Sequence, residues 1–523
     1  MTRWRNSRLA AVLLVAALAA CGGGGGGGGP VGAGPSGPAT LSGQISYASV
    51  PNPSGALDYA ASVDKPVRGA LVEVLDGASD AVLASTQTDD AGHYSVALTG
   101  GRAVTVRARA QTGGGAGARW DLSVRDNTQG GAVYAIESPV FSLIAGSATR
   151  DLHAASGWGA GHYTGQRAAA PFAILDTLRT SIDKVLSVAP ETVFPALRVF
   201  WSVNNVPAYG DPAVGQIGTT SFTQDQSGPV IYVLGKEDLD TDEYDASVIT
   251  HEWGHYYQSA FGRDDSPGGA HSMADSLDAR LAFSEGWGNA WSGIALGRSN
   301  YTDALGTAQA SAGSTNLDLR RGPPDRSGWY REASIHSILW QFNARAGFKP
   351  IHDVMTGPLA SGAALTDIHA FSAGLFARVP GAAASLTELL AGQAISAAVG
   401  DPFGQSESND GGLKPALPLY HPATIGASTQ ACVSNVFGSY NKLGSFVYLR
   451  VEVPSARSYA IRIDGPAAAD PDVSVYSGRL IARSEGLGTS EATSVFLPAG
   501  TAVLAINDAN DSSAWTCFSV SIN

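Results

Sequence analysis

Alternating apolar and polar positions mark the two ends of the chain. Near the N-terminus the alternation runs through three segments that turn residues separate: 41–47, 70–75 and 103–108. Near the C-terminus it recurs in four segments: 446–453, 459–463, 472–476 and 502–506. This period is typical of strands with one buried face. We therefore predict a small antiparallel β-sandwich over residues 39–150 and a second β-domain over residues 419–523.

The pattern changes in the central part of the chain, residues 165–412. Apolar residues recur there at helical spacing and predict an amphipathic helix over 172–188. Short apolar runs predict strands at 197–201 and 229–234, and longer periodic stretches predict three further helices: 246–261, 279–296 and 331–346. The predicted fold class is multidomain α+β, with one mixed central domain flanked by the two β-domains.

The first 38 residues predict export and a tether. Three arginines precede an apolar stretch, residues 9–20, that is too short to span a membrane. It ends in Leu-Ala-Ala-Cys, which resembles the lipobox of bacterial lipoproteins. The resemblance implies a signal peptide over 1–20 and acylation of Cys21, with plain cleavage beside an incidental cysteine as the alternative. Residues 21–38, mostly Gly, Pro, Ser and Ala, predict a flexible linker.

We therefore expect the protein to be exported and lipid-anchored to the bacterial cell envelope, at the outer membrane or the cell surface. No other segment is long and apolar enough to cross a bilayer, so the lipid anchor would be the only membrane attachment. In an oxidising compartment the two remaining cysteines, Cys432 and Cys517, form an even pair. We predict that they form a disulfide in the C-terminal β-domain.

Charge composition argues against a nucleic-acid partner. Lys and Arg total 33 and Asp and Glu total 46, which gives a formal net charge of −13. Binding to phosphates requires clustered cations. Hydrophobic residues make up 44% of the chain, enough for several cores, so a disordered chain is excluded as well.

The strongest candidate for chemistry lies in the predicted helix 246–261. His251, Glu252 and His255 form an H-E-x-x-H motif. The i, i+4 spacing puts both imidazoles on one face of the helix, one turn apart, so that they can share a metal ion. Glu252 lies beside them without being a ligand, and it can move a proton from a metal-bound water to a leaving amine.

A catalytic zinc requires a third protein ligand and an open fourth position. A third histidine six positions after His255 is excluded, because that position is Phe261. The remaining candidates lie downstream in a loop and in the next predicted helix: Asp264, Asp265, His271 and Glu285. Segment 283–289, Phe-Ser-Glu-Gly-Trp-Gly-Asn, resembles the gluzincins, especially thermolysin-like and fungalysin-like metallopeptidases. That resemblance implies a zincin-like metallopeptidase domain, with Glu285 as the third ligand of one catalytic Zn²⁺.

The family resemblance also implies supporting residues. An acidic residue four positions after the ligand glutamate supports a ligand histidine, and here that position is Asn289, whose amide oxygen can still accept an imidazole N–H. A downstream His or Tyr stabilises the oxyanion. We expect His336 in that role, with Tyr330 and Arg331 as rivals and a histidine of the core as the alternative for His336.

Three further segments carry expectations about local structure. Gly286 and Gly288 are costly inside a helix, so we expect close packing of their helix against 246–261. Residues 229–234 are the candidate for the edge strand that hydrogen-bonds extended substrate in this family. The acidic run before the motif could bind Ca²⁺, but it lacks EF-hand spacing, so we expect a solvated loop containing Glu237, Asp238, Asp240, Asp242, Glu243 and Asp245.

The flanking domains resemble known accessory modules. Residues 67–74 with 88–96 resemble the carboxypeptidase regulatory-like domain, and the region 419–523 is similar to the pre-peptidase C-terminal domain. Both resemblances imply β-sandwiches without catalytic residues.

Together these features predict a zinc-dependent endopeptidase that acts on protein or peptide substrates with Glu252 as general base. One alternative is a catalytically inactive surface lipoprotein that binds protein or polysaccharide through its β-sandwich domains. The intact Glu252 argues against it, because a purely structural metal site does not require that carboxylate. A zinc hydrolase acting on non-peptide bonds is the second alternative.

Overall fold

The computed structural model describes residues 34–114, 119–311, 313–510 and 515–523. The predicted signal peptide, Cys21 and most of the predicted linker lie outside the described residues. The described chain is mixed α/β, with strands at both ends and the helices in the centre. In the described part of the chain, no helix combines the length and apolar character that crossing a membrane requires.

The N-terminal region consists almost entirely of strands. They are β1 (Gly37–Ser49), β2 (Val63–Pro66), β3 (Ala70–Asp76), β4 (Val82–Gln87), β5 (His93–Gly100), β6 (Arg102–Gly113), β7 (Asp121–Asp126), β8 (Ala132–Val133), β9 (Ala135–Glu137), β10 (Phe141–Leu143), β11 (Gly146–Thr149), β12 (Leu152–Ala154), β13 (Trp158–Gly159) and β14 (His162–Tyr163). The three predicted strands fall within β1, β3 and β6. The predicted linker is shorter than expected, because Gly37 already pairs with Gly100 of β5.

The central region combines short strands with the helices. Its elements are α1 (Ala170–Leu186), β15 (Leu197–Trp201), β16 (Ser221–Asp225), β17 (Gly228–Val233), β18 (Gly235–Lys236), β19 (Asp240–Thr241), α2 (Ala246–Phe261), α3 (Ala279–Leu296), β20 (Asn300–Asp303), β21 (Thr315–Asp318), α4 (Glu332–Ala346), α5 (Phe348–Met355), α6 (Pro358–Ser361), α7 (Ile368–Arg378) and α8 (Ala383–Gly392). Helices α2 and α3 coincide with the predicted ranges. Nearly every residue of α3 is buried, so this helix forms the centre of the core.

The N-terminal and central regions share one sheet. Its strand order is β16-β17-β15-β7-β6-β3-β4, and β15 pairs in parallel with β7 through Val199 and Val124. A continuous sheet therefore crosses the boundary that we predicted near residue 150. The interpretation of residues 229–234 as an edge strand was wrong, because β16 folds back onto β17 and occupies the end of the sheet.

The C-terminal region is a sandwich of two sheets with its own core. Its strands are β22 (Tyr420–Ala423), β23 (Ser428–Val433), β24 (Phe446–Val453), β25 (Arg457–Asp464), β26 (Pro471–Tyr476), β27 (Leu480–Ser484), β28 (Ser490–Leu497), β29 (Gly500–Asp508) and β30 (Thr516–Ile522). Strands β23 and β30 pair antiparallel. The disulfide joins Cys432 of β23 to Cys517 of β30, the pair expected from the sequence.

Removing this disulfide should destabilise the protein. The bond closes a segment of 85 residues, for which the chain-entropy model gives about 4.6 kcal/mol. We expect the Cys432→Ser, Cys517→Ser double variant to unfold at lower denaturant concentration than the oxidised wild type. An unchanged midpoint, measured by fluorescence in urea without reductant, would contradict a stabilising role for the bond.

Candidate metal centre

Helices α2 and α3 pack side by side and carry the motif residues. The buried face of α2 includes Ile249, Trp253 and Tyr256, none more than 1% exposed. Trp253 stacks on Trp291 of α3, with ring centroids 5.2 Å apart. This aromatic layer explains why the two helices associate, because each large ring removes apolar surface from water.

Glycines let the two helix backbones approach closely. A Cβ atom on Gly254 would lie 3.2 Å from the Cα of Gly288, and one on Gly288 would lie 2.8–2.9 Å from three ring atoms of His251. Gly288 therefore leaves the room that the His251 imidazole occupies, as the expected close packing requires. Gly286 differs, because a side chain there would collide with Ile335 of α4.

Three candidate ligands converge between α2 and α3. The Nε2 atoms of His251 and His255 are 3.0 Å apart, and the Oε2 atom of Glu285 lies 3.2 Å and 3.5 Å from them. Two ligand atoms of a tetrahedral zinc ion, each about 2.1 Å from the metal, are separated by about 3.3 Å. The spacing of the three side chains therefore matches a shared tetrahedral ion.

Hydrogen bonds at the far side of each ring orient the two histidines. The Nδ1–H of His251 donates to Oδ1 of Asn289 at 3.0 Å. Nδ1 of His255 lies 3.2 Å from the Ser284 hydroxyl, which donates to Asp264 at 3.1 Å. With Nδ1 as the donor, each ring turns Nε2 toward Glu285, the orientation typical of metal-binding imidazoles. Asp264 thus acts through Ser284 and is not a member of the converging set.

The electrostatics of this cluster favour a positive charge at its centre. Burial alone would raise the pKa of Glu285, but the imidazoles of His255, His251 and His271 hold it well below the usual value. Burial opposes protonation of His255, yet Glu285 raises the pKa of that imidazole to about 9. The Glu285 carboxylate is thus held in its ionised form, and the His255 imidazole is favoured in its protonated form. Both shifts favour positive charge beside Glu285.

Glu252 lies between the cluster and the edge strand. Its Oε2 accepts a hydrogen bond of 2.7 Å from the backbone N–H of Phe222 in β16. Burial raises its pKa, while His251 and His255 act in the opposite direction. The carboxylate is thus fixed in orientation and made more basic, and it does not belong to the three converging ligands.

The loop between α2 and α3 brings one more imidazole to the cluster. Nε2 of His271 lies 3.3 Å from Oε2 of Glu285 and 3.8 Å from Oε2 of Glu332, the first residue of α4. Burial raises the pKa of Glu332 to about 7. His271 is one of the loop candidates from the sequence, whereas Glu332 could not be predicted, since no local pattern connects residues 61 positions apart.

His336 is buried, and its hydrogen bond lies outside the cluster of His251, His255 and Glu285. It is 2% exposed, and its Nε2–H donates to the carbonyl of Arg321 at 3.0 Å. Burial lowers its pKa to about 4. These contacts match the core histidine that was the alternative interpretation. Tyr330 and Arg331 are also buried and bind the carbonyls of Ser327 and Met273.

Tyr301 of β20 is a neighbour of the cluster that the sequence analysis missed. Its ring centroid lies 6.1 Å from that of His251, in an edge-to-face arrangement. Burial raises its pKa well above the usual value, so the phenol stays neutral and can donate a hydrogen bond. In sequence it lies beyond the glutamate helix in a four-residue strand, where no motif points to it.

The second half of the acidic run before α2 is buried, which contradicts the expectation of a solvated loop there, whereas Asp238 is exposed and Glu237 is half-buried. Asp242, Glu243 and Asp245 are 2%, 0% and 0% exposed. Arg167 and Trp201 hydrogen-bond to Glu243, and the backbone N–H of Ala304, next to β20, donates to Asp245. Asp303 of β20 joins Asp240 and Asp242 in a group whose carboxylate oxygens lie within 4.8 Å of one another. Desolvation raises the pKa of Asp240 to about 7 and that of Asp303 to about 6.

The described residues thus contain several groups that could hold a metal ion.

Comparison with known proteins adds little to this picture. No family model matches the chain, and no curated protein matches it. The chain is similar over 20% of its length to the pre-peptidase C-terminal domain of collagenase from Bacillus anthracis, with 8% identity, 94% of that domain covered and a TM-score of 0.17.

Two other solved β-domains show similarity of the same kind. One is CorA, a surface-associated copper-binding protein of Methylomicrobium album BG8, with 7% identity over 20% of this chain and 98% of that chain, and a TM-score of 0.17. The other is a carbohydrate-binding module of lichenase 5A from Cellvibrio mixtus, with 15% identity over 19% and 87%, and a TM-score of 0.13. These similarities concern β-domains and cover a small part of the chain.

The two glycines of α3 should respond differently to alanine. Gly288→Ala would push a methyl group into the His251 ring, so we expect weaker binding of a divalent metal, by at least about tenfold as for lost support of a ligand. In Gly286→Ala the new methyl group would collide with Ile335, so we expect a lower melting temperature. Its metal affinity should fall less than that of Gly288→Ala. Metal titration and thermal unfolding of both variants test this; equal metal affinities would contradict the proposed contact.

Proposed function

We propose that this protein is a zinc-dependent endopeptidase. The observation that carries the proposal is the convergence of His251, His255 and Glu285 at 3.0–3.5 Å, with Glu252 beside them and outside the ligand set. A structural site does not require that additional carboxylate, so this arrangement argues against the inactive binding lipoprotein.

The donor set fits zinc. Two imidazole nitrogens and one carboxylate oxygen are ligands of catalytic zinc sites, which keep one position open for water or substrate. His251 and His255 turn their Nε2 atoms toward Glu285 because their Nδ1 atoms are occupied by Asn289 and Ser284, and each Nε2 would bind zinc in its deprotonated form. When bound, zinc supplies a Lewis acid that polarises the scissile carbonyl and lowers the pKa of water.

Glu252 is the proposed general base. A carboxylate with a raised pKa can accept the proton of the attacking water and later deliver it to the leaving amine. The hydrogen bond from Phe222 keeps the carboxylate at the junction between the metal ligands and β16. Tyr301 is the candidate donor to the developing oxyanion, since its phenol is neutral and its ring lies against His251.

The edge strand β16 supports a peptide as the substrate. Within the shared sheet it pairs with β17 on one side and lies at the end of the strand order. Free backbone groups of an edge strand can bind an extended peptide by strand addition. A peptide bound there would pass beside Glu252, because Phe222 belongs to this strand.

We further propose that the protein is exported and anchored to the bacterial cell envelope through acylated Cys21. The support for this part is the lipobox-like sequence that precedes the glycine-rich linker. Such a tether would present the metal centre to protein substrates outside the cytoplasm.

Two glutamate variants separate the proposed roles. Glu252→Gln should retain zinc and lose hydrolysis of a peptide library by about 10²-fold or more, because it removes a base that is not a ligand. Glu285→Ala should lose zinc affinity as well as activity, because it removes a ligand. Zinc content and cleavage rates of both purified variants provide the measurement.

Glu388→Gln is the matched control, since that carboxylate is largely exposed on α8. It should retain both zinc and activity. Full activity of Glu252→Gln would exclude the proposed base. Normal zinc binding by Glu285→Ala, together with its loss in an Asp264, Asp265 or His271 variant, would assign the third ligand to the loop.

We further propose that the acidic group formed by Asp240, Asp242 and Asp303 binds Ca²⁺. Its support is burial together with two oxygens, Oδ1 of Asp240 and Oδ1 of Asp303, that have no hydrogen-bond partner among the described residues. Oxygen-only carboxylate sites suit hard cations such as Ca²⁺.

Stability should then depend on pH and calcium together. The carboxyl groups of Asp240 and Asp303 have pKa values of about 7 and about 6 in the folded protein, above their unfolded value, so the folded state retains protons that the unfolded state loses. Without calcium, the melting temperature should fall as pH rises from 4 to 7, and millimolar calcium should reverse the fall at pH 7. A calcium effect that persists in the Asp240→Asn, Asp303→Asn variant would contradict this site.

A further inference from the structure

Next to the zinc site of the proposed function, on which this inference rests, we propose a second divalent-cation site formed by His271, Glu332 and Glu285. Glu285 would bridge the two ions, so the centre would be dinuclear. The ligand atoms of these three residues lie within 4.8 Å of one another. Together the two sites draw on α2, α3, α4 and the loop between α2 and α3.

His271 is within hydrogen-bond distance of one of its two carboxylate neighbours and beyond it for the other. Nε2 of His271 is 3.3 Å from Glu285 and 3.8 Å from Glu332. The second distance is too long for a hydrogen bond, whereas two ligands each about 2.1 Å from one ion can lie up to about 4.2 Å apart. The His271 imidazole reaches only the Glu285 carboxylate at hydrogen-bond distance, whereas a cation among the three groups could contact both carboxylates.

Glu332 is the least satisfied member of the cluster. It is 3% exposed, and in the described part of the chain its carboxylate has one ion-pair partner, His271. A buried carboxylate with so little compensation is costly, and pairing or metal coordination is the usual remedy. Within the proposed function Glu332 has no role, since it lies outside the set of His251, His255 and Glu285.

The C-terminal domain holds the loop that carries His271. The side-chain amide of Asn441 donates to the carbonyls of Gly268 and Ala270 at 2.7 Å and 3.3 Å. The ammonium of Lys442 donates to the Ala270 carbonyl at 2.8 Å. These contacts fix the backbone immediately before His271, so a ligand from this loop would not have to be ordered when the metal binds.

The charge at the cluster is consistent with two ions. Glu252, Glu285 and Glu332 bring three carboxylates to one region, and the nearby imidazoles are neutral when they act as ligands. One divalent ion would leave the ionised group with a net negative charge. An imidazole with two carboxylates is a ligand set that zinc accepts, and two-metal hydrolytic centres hold their ions about 3.5–4 Å apart.

Metal stoichiometry tests this directly. Chelator-treated full-length protein is equilibrated with Zn²⁺ at pH 7.5, freed of unbound metal, and analysed by mass spectrometry for zinc per chain. We expect two equivalents for the wild type, one each for His271→Ala and Glu332→Gln, and fewer than one for Glu285→Ala. The exposed residues His93 and Glu388 provide matched controls, and His93→Ala and Glu388→Gln should bind two.

A variant outside the ligand set separates metal binding from misfolding. Asn441→Ala should weaken the second equivalent by about tenfold or more in a chelator-competition titration and leave the first unchanged. Circular dichroism and melting temperature identify any ligand variant that fails to fold. One equivalent in the wild type, or two in folded His271→Ala and Glu332→Gln, would overturn the second site.

The outcomes for this site and for the proposed function are distinguishable. One zinc per chain with full peptide hydrolysis would refute the second site and leave the endopeptidase intact. Two zinc ions per chain without hydrolysis of any peptide in the library would refute the endopeptidase and support the dinuclear centre.

Discussion

The close contact between α2 and α3 is the constraint on which the candidate site depends. Gly254 and Gly288 bring the two backbones together, and the His251 ring occupies the space that a side chain at Gly288 would fill. This approach allows the carboxylate of Glu285 to reach both imidazoles. A wider separation would leave a two-histidine site, which lacks the third ligand of a catalytic zinc centre.

The shared sheet and the C-terminal sandwich both form hydrogen bonds to residues of this helix pair or its ends. The shared sheet ends in β16, whose backbone holds Glu252. At the start of α3, Tyr448 of the C-terminal sandwich hydrogen-bonds to Asp278, whose side chain caps the first turn of that helix. The two β-regions therefore contact the elements that carry the proposed base and the third ligand. This integration goes beyond the accessory role that their family resemblances imply.

Features that depend on local periodicity could be predicted from the sequence. Helices α2 and α3 have the predicted ends, because the apolar spacing that predicts them acts within a few positions. His251 and His255 share one face because a single regular helix fixes their spacing, as the motif predicted. Glu285 and Asn289 lie beside them, in the positions that the family resemblance implied.

Features that depend on long-range packing could not be predicted in this way. Strand β17 is an apolar run that the sequence reveals, whereas β16 is mostly polar and has no comparable pattern, so only the strand order of the folded sheet shows that β16 is the edge. The buried Asp245 accepts a hydrogen bond from Ala304, next to β20, which lies more than fifty positions downstream. The partnership of His271 with Glu332 has the same origin, since it requires a loop and a helix end that meet only in the folded chain.

The location of the bound metal tests the central claim most directly. Crystals of the protein loaded with one equivalent of Zn²⁺ would be measured at the zinc absorption edge, so that anomalous scattering marks the ion. The account predicts one strong peak within about 2.2 Å of Nε2 of His251, Nε2 of His255 and a carboxylate oxygen of Glu285. A peak on Asp264 or Asp265 without Glu285, or no ordered zinc between α2 and α3, would contradict it.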